Sequence, residues 1–140
     1  MFPIRDHNPS GRTPYVTYGL LIANIAIWLW SVTMITNDNA LNWFYYNYAL
    51  IPARMADGTG FGGLVTSMFV HAGFLHLACN MLFLFIFGDN MEDRMGHGSF
   101  AVFYACCGIA AGLVQVMNDP ASPVPTVGAS GAIAGVMGGY

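Results

Sequence analysis

Polar interruptions divide the sequence into four long runs without a charged side chain: Thr13–Asn37, Thr59–Gly88, Met95–Asn118 and Pro120–Tyr140. The runs are apolar all round, with neither the alternation of a half-buried strand nor the polar stripe of a soluble amphipathic helix. A helix crossing a bilayer needs about 20 mainly apolar residues, and the first three runs supply that length. They predict spans over about 13–36, 64–88 and 99–117. A fourth helix begins at Ser130 and covers 130–140. Its eleven residues are too few to cross a hydrocarbon core about 30 Å thick at 1.5 Å per residue, so the chain stops partway through a helix. The expectation is an all-α, polytopic transmembrane helical bundle: three full spans and the start of a fourth, in a single membrane domain over 1–140. No internal repeat or flexible linker interrupts it.

The connections differ in character. Residues 1–12 are a short polar lead. The first run is long for a cleaved leader and no small-x-small site closes it, so it is expected to stay as a span. Residues 37–63 form a long connection, of the kind that usually carries function or folds locally. Its segment NWFYYNY at 42–48 is dense in aromatics and suits the headgroup region. Residues 89–98 are expected to be a polar loop. A proline-broken loop, 119–126, leads into the fourth helix.

Composition sharpens this picture. Only 8% of residues are charged and there is no lysine, against roughly 25% charged in soluble domains. A net charge of −3 with four basic residues argues against a nucleic-acid partner. Cys79, Cys106 and Cys107 fall inside the runs as small apolar residues, neither a disulfide framework nor a metal site. Arg5, Arg12 and Arg94 fall on one side of the membrane and Arg54 on the other, so the positive-inside rule predicts a cytoplasmic N-terminus.

Chemistry concentrates in the last run. Ser130 lies between Gly128 and Gly131, and Gly131, Gly135 and Gly139 recur every fourth residue, a stripe that lets another helix approach closely. Left to itself, this is also what a helix-capping serine with a glycine packing face looks like. The second span adds His71, His76 and Asn80. His76 and Asn80 are four apart and project from one helix side. Threading puts them at the same membrane face as Ser130, while His7 and His97 fall at the opposite face. Intramembrane polar groups are costly and normally face a bundle interior or a wet cavity. An imidazole, an amide and the Ser130 backbone N–H could together hold an oxyanion, and His76 could alternatively act as a base. His71-x4-His76 is not a zinc pair, and no carboxylate or thiolate accompanies it. GASGA lacks both the last glycine and the preceding strand of a hydrolase elbow.

With these residues in place, the chain resembles the rhomboid family of intramembrane serine proteases, from the first span into the fourth. The matching segments are GASGA around Ser130, His71-x4-His76-x3-Asn80, and GDNMEDRMGH at 88–97. The resemblance implies a six-helix core, no cofactor, no metal, and cleavage of transmembrane protein substrates. It implies Ser130 as nucleophile, His76 and Asn80 as oxyanion-hole donors, and His71, Gly128 and Gly131 as residues shaping the cavity. Glu92 and Arg94 would brace the loop after the second span, and residues 37–63 would be a membrane-embedded first loop. The family's base is a histidine on the sixth span, expected beyond residue 140, so residues 1–140 alone are expected to be inactive. Ala134 stands where some members carry a tyrosine packed on that base, and Arg54 is the nearest counterpart of a first-loop Trp-Arg pair. Two other classes fit the sequence: a non-catalytic rhomboid-like binder of membrane helices, and an accessory subunit held by partners in a larger membrane complex.

Overall fold

A computed structural model describes residues 12–140; residues 1–11, with Arg5 and His7, lie outside the described residues. Seven α-helices follow among those described: α1 (Tyr15–Met34), α2 (Asp38–Tyr48), α3 (Pro52–Ala56), α4 (Gly63–Thr66), α5 (Phe74–Met95), α6 (His97–Asn118) and α7 (Ser130–Gly139). A 3-10 turn, Ser67–Phe69, continues α4. The described residues contain no strand. One isolated antiparallel bridge joins Leu50 to Thr126. Helices α1, α5 and α6 are long and apolar enough to cross a membrane.

Helix α1 is inside out by the standard of a soluble protein. It buries Thr17, Asn24 and Ser31, each seven residues from the next, and exposes Tyr15, Ile22, Leu29 and Val32. Lipid is as apolar as leucine, so burying leucines gives helices little reason to associate. Close packing and hydrogen bonds do that work instead. The polar stripe packs on α5: a methyl group at Gly88 would sit 2.9 Å from the Thr17 hydroxyl. At the other end, the Trp28 and Phe74 rings lie 5.9 Å apart, so α1 and α5 run antiparallel.

The second span is shifted from its expected position. The helix begins at Phe74 rather than Leu64, and residues 64–69 are separate helical turns below an irregular link that holds His71. It then runs on to Met95, so the expected loop 89–98 is mostly helix. A cluster of charges ends a hydrophobic run, but it does not end a helix. What ends this one is Gly96, whose φ of 87° favours glycine. That residue alone separates α5 from α6, each of 22 residues. The first and third spans lie within two residues of their expected bounds.

The glycine stripe of α7 faces α6. A Cβ at Gly131 would collide with Ala111 and one at Gly135 would lie 2.6 Å from the Cys107 Cβ, while one at Gly139 would lie between Met91 of α5, at 2.7 Å, and Phe103 of α6, at 3.5 Å. Contacts that rise on α7 as they fall on α6, from Ala111 to Cys107, make these two helices antiparallel as well. Leu84, Phe100, Ala129 and Val136 are sealed within the core that α5, α6 and α7 share.

Candidate active site

The turn ahead of α7 is built by the loops on either side of it. Loop 119–129 runs along the first connection: Ala53 N–H donates to the Ser122 carbonyl at 3.0 Å, and Leu50 and Thr126 exchange two backbone hydrogen bonds at 2.9 and 2.8 Å. The Thr66 hydroxyl donates to the Tyr48 carbonyl at 2.7 Å, which ties α4 to the end of α2. Next, Gly128 N–H donates to the Ser67 carbonyl at 2.8 Å, and Ala129 N–H donates to His71 Nε2 at 3.2 Å. Two consecutive amides are thus anchored before the helix starts.

From there the donors are free. Ala129 offers α7 no capping side chain, and the amides of Ser130, Gly131 and Ala132 have no carbonyl behind them in the helix. Unpaired amides at a helix start are donors for a developing negative charge. The Ser130 side chain is exposed and makes no hydrogen bond among the described residues.

Gly128 holds the serine and the imidazole together. Its φ is 120°, and a methyl group there would lie 2.8 Å from His76 Nε2 and 3.8 Å from Ser130 Oγ. Those two atoms can be no further apart than the two distances combined. A side chain at 128 would push His76 away, so glycine is required both by conformation and by space. Asn80, one turn further along α5, is nearly buried, and its amide nitrogen donates to the His76 carbonyl at 2.9 Å. That uses one of its two N–H groups; the other remains for a ligand.

His71 stands outside α5, with its ring 5.1 Å from that of His76. Burial first, then the facing His76, holds its imidazole well below the ordinary range, at about 4, against a smaller opposing effect of the Phe69 carbonyl. A cavity of about 180 Å³ adjoins the serine, lined by Ser67, Met68, Gln115 and Thr126 among others. Ser67 and Gln115 carry no sequence signal that would single them out.

At the other end of α5 sits Glu92, only 1% exposed. It accepts from Val16 N–H at 2.8 Å, Thr17 N–H at 2.7 Å and the Thr17 hydroxyl at 2.8 Å, and it pairs with His97 Nδ1. Pro14, which precedes α1, has no side chain able to cap it, so a carboxylate 75 residues away does so. The partners of Glu92 are therefore α1 and His97 rather than a loop. Arg94, expected to share its role, is exposed and has no ion pair among the described residues. The basic residue that pairs here is Arg12, 3.5 Å from Asp93.

Comparison with known proteins bears on the same half of the chain. Residues 59–140 match the model of the rhomboid domain. Rhomboid protease GluP of Bacillus subtilis is 39% identical over 75 residues, covering 54% of this chain and 14% of that protein. Rhomboid protein 1, mitochondrial, of Saccharomyces cerevisiae is 30% identical over 128 residues, covering 88% of this chain and 35% of the relative. Inactive rhomboid protein 1 of Drosophila melanogaster is 35% identical over 74 residues, or 53% of this chain and 5% of that protein. Across the relatives compared, the chain spans at most 38% of the other protein.

Proposed function

The chain belongs to the rhomboid family, and it is an integral, multi-pass membrane protein; from this premise we propose that it supplies the nucleophile and oxyanion site of an intramembrane serine endopeptidase. The observation that carries this reading is the convergence of an unpaired, exposed Ser130 hydroxyl and the His76 ring around Gly128, beside helix-start amides with no partner. In the proposed reaction the Ser130 oxygen attacks a carbonyl of a transmembrane substrate. The resulting oxyanion takes hydrogen bonds from the Ser130 amide, His76 and the free N–H of Asn80. The substrate helix must unwind first, because its backbone is otherwise hydrogen-bonded internally. Substrates with helix-breaking residues near the end of their span are therefore preferred.

The proton of Ser130 needs a base. His71 is a poor choice, because its Nε2 already accepts the Ala129 N–H. We assign the base to a histidine contributed from beyond residue 140, with His76 as the alternative. The open stripe of small side chains below the serine, Ala134 and Gly138, leaves room for the helix that would carry it. The short distance from Arg12 to Asp93 supports placing Arg12 and Arg94 at one membrane face, the cytoplasmic one by the arginine rule.

The test is fluorophosphonate labelling of the full-length protein in proteoliposomes. Labelling is expected for the native protein and lost in Ser130→Ala, where rate losses of about 10⁶ have precedent in serine sites. Equal labelling of both would remove Ser130 from the mechanism. A second reading, a non-catalytic binder of membrane helices, is favoured by the likeness to a relative named as inactive. It predicts no labelling of the native protein together with saturable binding of a helix-broken transmembrane peptide.

A further inference from the structure

Two consecutive amides, those of Gly128 and Ala129, are held by the segment 67–71, and the next amide, that of Ser130, is left open. The first anchor is a backbone carbonyl, which no substitution removes. The second is a side chain. We propose that His71 is a positioning residue that functions only as a neutral imidazole protonated at Nδ1, its Nε2 fixing the peptide immediately before Ser130. The proposal rests on the serine reading given above.

The tautomer follows from the donor. An amide N–H must be received by a lone pair, so Nε2 carries no proton and Nδ1 carries the only one. Nδ1 is fully buried with no hydrogen-bond partner among the described residues, so nothing there competes for its proton. Adding a second proton would set an imidazolium N–H against the Ala129 N–H, two donors facing each other in a buried site. Among the groups around His71, the titratable ones are His76 on α5, whose ring it faces, and Tyr45 on α2, which lines a cavity of about 200 Å³ together with it. Helix α1 contributes Trp28 and Ser31 to that cavity and no charge. None of these offers a carboxylate to favour a charged imidazole.

The folded value, about 4, lies below the ordinary 6.5, so the unfolded chain binds the proton more readily between the two. The stabilisation by neutral His71 is intact above about 6.5 and is lost progressively as pH falls toward about 4. The anchored turn loosens over the same window.

Nitrogen-15 NMR of histidine-labelled full-length protein in nanodiscs tests this directly, with His71 assigned by its loss in His71→Gln. The expected spectrum has an unprotonated Nε2 and a protonated Nδ1 that persist to pH about 5, well below the ordinary imidazole value. A proton on Nε2, or a charged ring at pH 5, would overturn the proposal. Fluorophosphonate labelling rates give a second readout. His71→Leu leaves the Ala129 N–H buried without an acceptor and is expected to slow labelling about tenfold or more. His71→Gln, whose amide oxygen can accept, recovers most of the rate, and His71→Lys, a donor only, recovers none. Equal rates for the Leu and Gln variants would sink the idea. If the native protein fails to label at all, the serine reading has failed, and the NMR result still decides the tautomer.

Discussion

At the Met95 end of α5, Glu92 has every acceptor position of its carboxylate filled, by two backbone amides, a hydroxyl and an imidazole. At the Phe74 end, Ser130, His76, half of the Asn80 amide and the first amides of α7 keep their hydrogen-bonding capacity unused. Both ends belong to one helix of 22 residues and carry polar side chains. The difference teaches that a polar group in a membrane protein is structural when its capacity is consumed, and a candidate for chemistry when it is not. Nearly buried Glu92 is the stronger interaction, and it can do little more than hold. Exposed Ser130 contributes almost nothing to holding the bundle, and it can react.

That contrast can be attacked from either end. Glu92→Ala removes the acceptor of four donors, and losing one partner of a buried polar pair costs about 3–5 kcal/mol. Thermal unfolding in detergent should show the largest drop of any single substitution considered, with the fraction that stays folded still labelling at Ser130. Asn80→Ala is expected to do the reverse. Labelling should slow by roughly a hundredfold to a thousandfold, as for other lost oxyanion donors, with the unfolding midpoint nearly unchanged. If Asn80→Ala instead lowers stability as much as rate, its amide is structural and the contrast fails at this position.

Gly135→Val tests the packing that joins the two ends. Its side chain would meet Cys107, and overpacking of this kind typically costs about 1–3 kcal/mol, read as a lower unfolding midpoint. Thr17→Val keeps the shape but removes one donor to Glu92, for an expected loss of about 1 kcal/mol by the same measurement. Arg94→Ala should change stability by no more than about 0.5 kcal/mol, because the side chain is exposed and unpaired among the described residues. A larger effect would mean that Arg94 has a partner in the complete protein.

Much of this is legible in the sequence, for physical reasons. Hydropathy locates α1 and α6 because the bilayer imposes a length and a composition. The i, i+4 spacing puts His76 and Asn80 on one side of α5 because helix geometry is local. The start of α5 is not legible in the sequence, because Leu64–Phe69 is as apolar as the helix that follows, and an apolar run does not say where its backbone bends. The links from Glu92 to Thr17 and from Ala129 to His71 span 75 and 58 positions, and no local signal encodes them. One indirect clue existed for the first. Helix α1 starts after a proline with no capping side chain at hand, so its first amides had to find an acceptor elsewhere.

That missing cap bears on how the protein is assembled. During membrane insertion α1 emerges before α5, and two of its three inward polar side chains bring their own partners, Asn24 donating to the Leu20 carbonyl and Ser31 to the Trp28 carbonyl. The Thr17 hydroxyl and the amides of Val16 and Thr17 have none until the far end of α5 is synthesised and folded back beside them. Arrival of Glu92 therefore gates the docking of the first helix, and a ribosome halted before residue 92 would leave α1 inserted but uncommitted to the bundle.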